Sequence, residues 1–423
     1  MRWLSIGICA LVVFGILAHG GVEEWTHAVL EIGAALLFVL WVIRACFNQE
    51  NQLVVPPLLL PLTGLLLVVG LQWALHRTAS AHDTSVDLRL LVADILILFL
   101  AGQSFRTLAD FRGFVWFIMA FGFLVSIFGI LQHLTFNGKL YWFRVMHFGG
   151  IPFGPYVNRN HFAGFAELVI PISLVPLVLG KVRRERWFIV GLFAVVPIGA
   201  LFFSASRGGI VSFAVELGVI AVWLVLRRIA GRQLLSAAAV LLLAFLMVSW
   251  LGVRQALERF STMQSLEVTR GKRTSMAADT WHIFLDHPFL GTGLGTLQDV
   301  FPPYETLYDG KVVNHTHNDY LEALAETGIV GGVFCAWFLG VLFFESLRRL
   351  SRDAGAFAST VQLSALVGCV GFLTHSLVDF NLHIPGNALL FFLIAYVATA
   401  DIHLPVPQVS GPTRHRHRHR KHS

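Results

Sequence analysis

Charge is what this chain most lacks. Of its 423 residues only 13% are Asp, Glu, Lys or Arg, where a soluble protein carries roughly a quarter. With 56% hydrophobic residues and a mean hydropathy of +0.70, that deficit excludes an ordinary soluble domain. Cysteine is scarce too. Cys9, Cys46, Cys335 and Cys369 lie in or beside apolar runs, none in a long loop, so a disulfide framework is excluded and the four are expected as small buried hydrophobes. No repeated halves run along the chain, which counts against a transporter of lipid-linked sugars even though Arg89, Asp94 and Glu216 fall within apolar runs. A strand–helix–strand unit is missing around Gly293-Leu294-Gly295, which removes the nucleotide-loop reading of those glycines.

What the chain has instead is apolar runs long enough to cross a bilayer. They fall near 3–19, 27–46, 53–75, 86–104, 113–134, 161–180, 187–203, 207–227, 234–252, 329–346, 357–376 and 387–403. Lipid cannot hydrogen-bond an exposed backbone, so each run is expected as a helix. The expected fold is all-α, a polytopic membrane bundle of about twelve transmembrane helices of spanning length, with a large loop at 253–328 containing short helices. The first run, with Arg2 before it and Leu17-Ala18-His19-Gly20 after it, has the form of a cleaved signal peptide. A retained helix is preferred, because the even count then agrees with the charges.

Arginine and lysine fall in alternate connections: Arg44, then Arg106 and Arg112, then Lys181–Arg186, then Arg227, Arg228 and Arg232, then Arg348, Arg349 and Arg352, and finally the tail RHRHRHRKHS. By the positive-inside rule these mark the cytoplasmic face, with both termini on it. The net charge of +6 reflects these anchors and the tail, and is no sign of nucleic-acid binding. The chain divides into N-terminal transmembrane helices (1–135), a core (136–404) and a basic tail (405–423) expected to be solvated, disordered and in contact with anionic lipid.

On the opposite face five polar clusters gather. NRNHF places Asn158, Arg159, Asn160 and His161 at a helix start, where Asn160 is the expected N-cap. In FFSASRGGIVS, Ser204, Ser206 and Arg207 interrupt an apolar run beside Gly208-Gly209; an arginine at a broken helix next to accessible backbone N–H groups suits an anion, against the plainer reading of an arginine snorkelling at the membrane edge. The large loop carries Arg270 and Arg273, and its stretch 274–285 is expected as an amphipathic helix at the membrane surface. In NHTHNDYLEALAETGIVGG, His317 stands at a helix start capped by Asn318 and Asp319, where a neutral imidazole can serve as a general base. His315-Thr316-His317 also has the spacing of a metal pair, but no cysteine and no clear third ligand accompany it, so no metal is expected. Finally HSLVDFNLHIPGN gathers His375, Asp379, Asn381 and His383 at a broken turn; Asp379 is a candidate to orient the base or hold an arginine, or belongs to a plain polar turn.

Taken in order, FGPYVNRNHFAGF, SASRGGIV, DHPFLGTGLGTLQDVFPPY, HTHNDYLEALAETGIVGG and HSLVDFNLHIPGNALLF resemble the bacterial O-antigen ligase and O-antigen polymerase superfamily over about 150–395. The first five apolar runs resemble it in hydropathy alone. The resemblance implies an inverting, metal-independent membrane glycosyltransferase of the GT-C type, using no cofactor, in the bacterial inner membrane. Its donor would be an undecaprenyl-diphosphate-linked glycan and its acceptor lipid A–core or another glycan, with membrane lipid around it. It places the catalytic histidine on His317 and the diphosphate-binding arginines on Arg207 and Arg273, with Arg270 as the fallback for the second. Arg159 is added on the residues alone, and Asn318, His315, Asp379, His383 and Asn160 complete the expected site as supporting groups. Ligase-like transfer is preferred slightly over polymerisation of lipid-linked repeat units. Oligosaccharyl transfer to protein is a third variant, and no residue separates them.

Overall fold

The computed structural model describes residues 2–47, 52–145, 151–228, 231, 242, 246, 263–308, 310–351 and 355–402, excepting the side chains of residues 2 and 263–271. Among the described residues every regular element is helical: α1 (Arg2–Leu17), α2 (Glu24–Phe47), α3 (Leu59–Ala74), α4 (Ala81–Ser104), α5 (Leu108–Leu134), α6 (Arg159–Val178), α7 (Trp187–Ser204), α8 (Arg207–Leu226), α9 (Met263–Asp286), α10 (Asp319–Ser351), α11 (Ala356–His375) and α12 (Pro385–Thr399), with short helical turns between them. Seven of these have the length and apolarity to cross a membrane, namely α2, α5, α6, α7 with its lead-in turn, α8, α10 and α11, and α1, α3 and α12 are shorter apolar helices. Helix α4 coincides with an expected run but carries Asp87, Arg89 and Asp94. The expected span near 234–252, part of the large loop and the tail lie outside the described residues.

Helices α6 and α11 form the centre, with 94% and 78% of their apolar windows buried, while α2 at 11% is peripheral. They pack on each other, and α5, α7, α8 and α12 close around them. Polar groups in this interior face protein rather than lipid: His375 Nδ1 stands 2.8 Å from Glu167 Oε1, and both side chains are fully buried.

The helix starts at one end are set by side-chain caps. Asn158 accepts from the Asn160 N–H (3.0 Å), Ser206 from the Gly209 N–H (3.2 Å) and Asn318 from the Leu321 N–H (3.0 Å), each satisfying an orphan donor. The α6 cap is thus Asn158, not Asn160 as expected, because the helix begins two residues earlier; the Asn160 side chain is released for other use. The break between α7 and α8 lies at Ala205, in the left-handed region with φ 51°. Gly208 and Gly209 are not in that turn but in the first turn of α8, where a Cβ on Gly209 would meet Ala163 of α6 at 2.6 Å. Only a glycine lets those two helix starts approach so closely.

Stretch 274–285 lies on α9, as expected from its pattern, with Met276, Ile283 and Phe284 buried beneath it. The glycine-rich loop that follows has a structural role. Gly328 interrupts α10 with φ 63° and ψ −170°, a region essentially reserved for glycine, and a Cβ there would lie 2.2 Å from the Phe289 carbonyl. The N–H groups of Ile329 and Val330, freed by the kink, donate to the carbonyls of Pro288 (2.8 Å) and Phe289 (3.2 Å), while Thr292 and Gly293 donate to Ala325 (3.1 Å) and Glu326 (2.9 Å). Two donors and two acceptors at the kink are therefore re-paired with the loop. This kink leads into the tenth apolar run, and it fixes the first nine residues of α10, Asp319–Thr327, as a separate polar segment.

At the other end of the bundle Arg227 donates to the Leu350 carbonyl (2.9 Å) and Arg349 pairs with Asp401 (2.5 Å). The basic anchors and the capped polar helix starts thus occupy opposite ends.

Candidate active site

The turn between α11 and α12 carries Asp379, whose side chain is fully buried. It gathers residues from four parts of the chain. His317 Nδ1 lies 3.1 Å from Asp379 Oδ1, Asn160 donates its amide to Oδ2, and the Phe380 N–H donates to Oδ1 at 3.0 Å. The Arg273 guanidinium stands 3.9 Å from Oδ2 and donates to the Val378 carbonyl at 2.8 Å. On its far side Asn160 accepts from Ser206 Oγ at 2.9 Å, which ties the α8 start, and with it Arg207, into the same network. The first turn of α8 also packs directly on the end of α11: a Cβ on Gly208 would meet His375 Nε2 at 2.5 Å and Val378 at 3.2 Å.

Electrostatics follow from this geometry. Burial by itself would lift the Asp379 carboxyl, but the hydrogen bond from His317 and the imidazoles of His317, His375 and His161 outweigh it and hold the group well below the usual carboxylate range. An ionised Asp379 takes the Nδ1 proton of His317 as its hydrogen-bond donor, which leaves Nε2 as the bare nitrogen. A quarter of the His317 side chain is exposed, so that nitrogen has access to solvent or substrate. His317 itself is in the left-handed region (φ 55°), an uncommon conformation for a non-glycine residue and one found where structure over-determines it. Arg207 is the first residue of α8, partly exposed, and has no ion-pair partner among the described residues. It therefore adds an uncompensated cation to the positive end of a helix.

A second cluster lies across the Phe380 ring, which stacks on His315 (4.3 Å) and meets His317 (5.0 Å) and His161 (4.8 Å) edge-on. There His315 Nδ1 bonds Glu322 Oε1 (2.6 Å), and His383 Nδ1 bonds Asp319 Oδ1 (2.8 Å) with its Nε2 3.5 Å from Glu322 Oε1. Burial works against charge on His383, yet Glu322 and Asp319 raise it well above the ordinary imidazole value. A cavity of about 730 Å³ opens against this cluster, lined by His315, Asp319 and His383 together with residues of α1, α2 and α4 such as His27 and Asp87.

The sequence-expected residues thus separate into two groups. His317, Asp379, Asn160 and Arg273 meet directly and Arg207 adjoins them, whereas His315 and His383 turn to the second cluster. Asp379 lies against both kinds of partner expected for it, a histidine at 3.1 Å and an arginine at 3.9 Å. His315 and His317 do not act as a pair, because they face different carboxylates. Asn318 supports His317 through the cap. Arg159 begins α6, its N–H donating to the Ile151 carbonyl at 2.8 Å, and the side chain of Arg270 lies outside the described residues. Sequence reasoning missed Glu322 and Asp319 as ligands of histidines and Ser206 as the link to Asn160; for Glu322, the seven-residue step from His315 onto a helix face was the available signal.

A family model described as O-Antigen ligase matches residues 192–336, the stretch that holds Ser206, Arg207, Arg273 and His317, and ends within α10 before Asp379. None of the curated proteins searched matches the chain.

Proposed function

Because residues 192–336 carry an O-antigen ligase domain in a multi-pass membrane protein, we propose that the chain transfers a glycan from undecaprenyl diphosphate to an acceptor hydroxyl at the periplasmic face of the inner membrane. The observation that supports this most is the buried Asp379 that orients His317 at 3.1 Å with Arg273 beside it at 3.9 Å. A base and a cation for the leaving group then share one carboxylate. The positive-inside distribution supports placing the end holding Arg227 and Arg349 in the cytoplasm and the His317 end in the periplasm.

In this mechanism the acceptor oxygen attacks the anomeric carbon from the face opposite the diphosphate. The bond from that carbon to the diphosphate oxygen breaks, and its electron pair leaves with the lipid diphosphate, so the configuration inverts. The hydroxyl proton passes to His317 Nε2, and Asp379 stabilises the resulting imidazolium, a division of labour worth about 10²–10⁴-fold in rate. Arg207, Arg273 and the N–H groups of the α8 start neutralise the departing charge, so that these side chains supply what the step needs and no metal takes part in it. The donor arrives activated, which suits a compartment without nucleotides. The acceptor is lipid A–core in the ligase reading and a second lipid-linked glycan in the polymerase reading.

The test is transfer by the purified protein from a defined undecaprenyl-diphosphate glycan, with lipid A–core and a second lipid-linked glycan offered in competition. Product on lipid A–core supports ligation and product on the lipid-linked glycan supports polymerisation. Binding of the donor without transfer to either sugar acceptor contradicts both.

A further inference from the structure

Three side chains of the second cluster, His315, Glu322 and His383, present ligating atoms that all lie within 4.8 Å of one another. We propose that they form a binding site for a divalent transition-metal ion of the zinc type, separate from the His317 chemistry. Two imidazole nitrogens and one carboxylate oxygen are a donor set that suits zinc, with a fourth position left for water.

Two of the three ligands, His383 and Glu322, are held by hydrogen-bonded outer partners of the kind metal sites use. Asp319 Oδ1 accepts from His383 Nδ1 at 2.8 Å, which fixes the ring and turns Nε2 toward Glu322. The other Asp319 oxygen accepts from the Leu382 N–H (3.1 Å), so the carboxylate is itself anchored. Glu322 Oε2 is occupied by the N–H (2.9 Å) and hydroxyl (3.1 Å) of Thr316, which leaves Oε1 for the ion. His315 is steadied by stacking on Phe380 at 4.3 Å. Without an ion, hydrogen bonds hold the same groups; His315 Nδ1 and Glu322 Oε1 are 2.6 Å apart, and a tetrahedral ion with bonds of about 2.0–2.1 Å needs them to open to roughly 3.3 Å. That opens one pair by under an ångström, while the His315 and His383 nitrogens, within 4.8 Å of each other, close toward the same roughly 3.3 Å by side-chain rotation on a surface the cavity already exposes, since both residues line it. The ion would clip the loop before His317 to the first turn of α10 and to the Asn381–His383 turn, and so brace the base from outside the reaction.

The test uses the full chain with the tail histidines His415, His417, His419 and His422 replaced by Asn, so that imidazoles of the tail cannot contribute to the measured binding. Zinc content after dialysis and competition with a chromophoric chelator give stoichiometry and affinity, and Co²⁺ substitution gives a visible spectrum. One tightly held ion per chain is expected, with the intense absorption of four-coordinate Co²⁺. The Glu322→Gln and His383→Ala variants should lose it, Asp319→Asn should weaken it about 10–100-fold, and His317→Ala should keep it. Absence of saturable binding or of the four-coordinate spectrum in the tail-substituted chain overturns the proposal, and so does equal binding by the Glu322→Gln and His383→Ala variants. Neither result bears on glycan transfer, which is assayed separately.

Discussion

Replacing Asp379 by Asn tests the logic of the site with almost no change in shape. The carboxylate now accepts from His317 Nδ1 (3.1 Å), from Asn160 and from the Phe380 N–H (3.0 Å), with Arg273 at 3.9 Å. An amide at this position has one oxygen and one NH2, so one of the two facing donors, His317 or Asn160, meets a donor. If the NH2 faces His317, the ring turns to the tautomer with its proton on Nε2 and the base is lost. If it faces Asn160, the tautomer survives but the negative charge that stabilises the imidazolium is gone. In either arrangement the loss falls on kcat, by about 10²–10⁴-fold, equivalent to roughly 3–5 kcal/mol at 1.36 kcal/mol per tenfold. Donor affinity should change little, since Arg207 is untouched. The assay is single-turnover transfer from the lipid-linked donor, normalised to folded protein by a thermal scan, because hydrogen bonds to a charged group are worth about 1.5–3 kcal/mol each. A folded Asp379→Asn protein that turns over within a factor of about three of the parent refutes the His317–Asp379 assignment, since a base mis-set by a wrong tautomer cannot retain that rate.

Charge reversal at Arg207 to Glu should weaken donor binding at least tenfold, or about 1.4 kcal/mol, and unchanged donor affinity in a lipid-diphosphate binding assay removes Arg207 from the site. The Gly328→Ala variant should lose about 1–3 kcal/mol of stability from backbone strain and more from the contact with the Phe289 carbonyl at 2.2 Å; an unchanged melting temperature contradicts the clasp. Asp379 has a folded pKa below its unfolded value, so its stabilising contribution is complete above the ordinary carboxylate pKa of about 3.9 and lost as pH falls further. The melting-temperature gap between the parent and Asp379→Asn should therefore be constant from neutral pH down to about pH 5 and narrow below about pH 4; a gap that narrows already near neutrality contradicts the assignment.

Much of this was legible in the chain. Apolar length gave the helices, and turn chemistry gave the Ser204–Arg207 break, because these depend on local sequence. The cap of α6 was misplaced by two residues, as Asn158 and Asn160 are equally good capping residues and only tertiary demand on Asn160 by Asp379 and Ser206 distinguishes them. Single polar clusters were visible, but their partition was not. Whether His315 and His317 share a ligand depends on the left-handed turn at His317 and on the Phe380 ring between them, neither of which leaves a periodic signal. The glycine-rich loop showed only what it was not; its partner carbonyls come from a kink about 35 residues downstream, a contact that no local pattern encodes.

The most direct measurement is transfer and donor binding by purified His317→Ala. The account predicts that this variant inserts in the membrane and binds the lipid-diphosphate donor like the parent, while its transfer rate falls by about 10²–10⁴-fold. Transfer at the parent's rate by the same protein would contradict it, because among the described residues no other imidazole is hydrogen-bonded to Asp379.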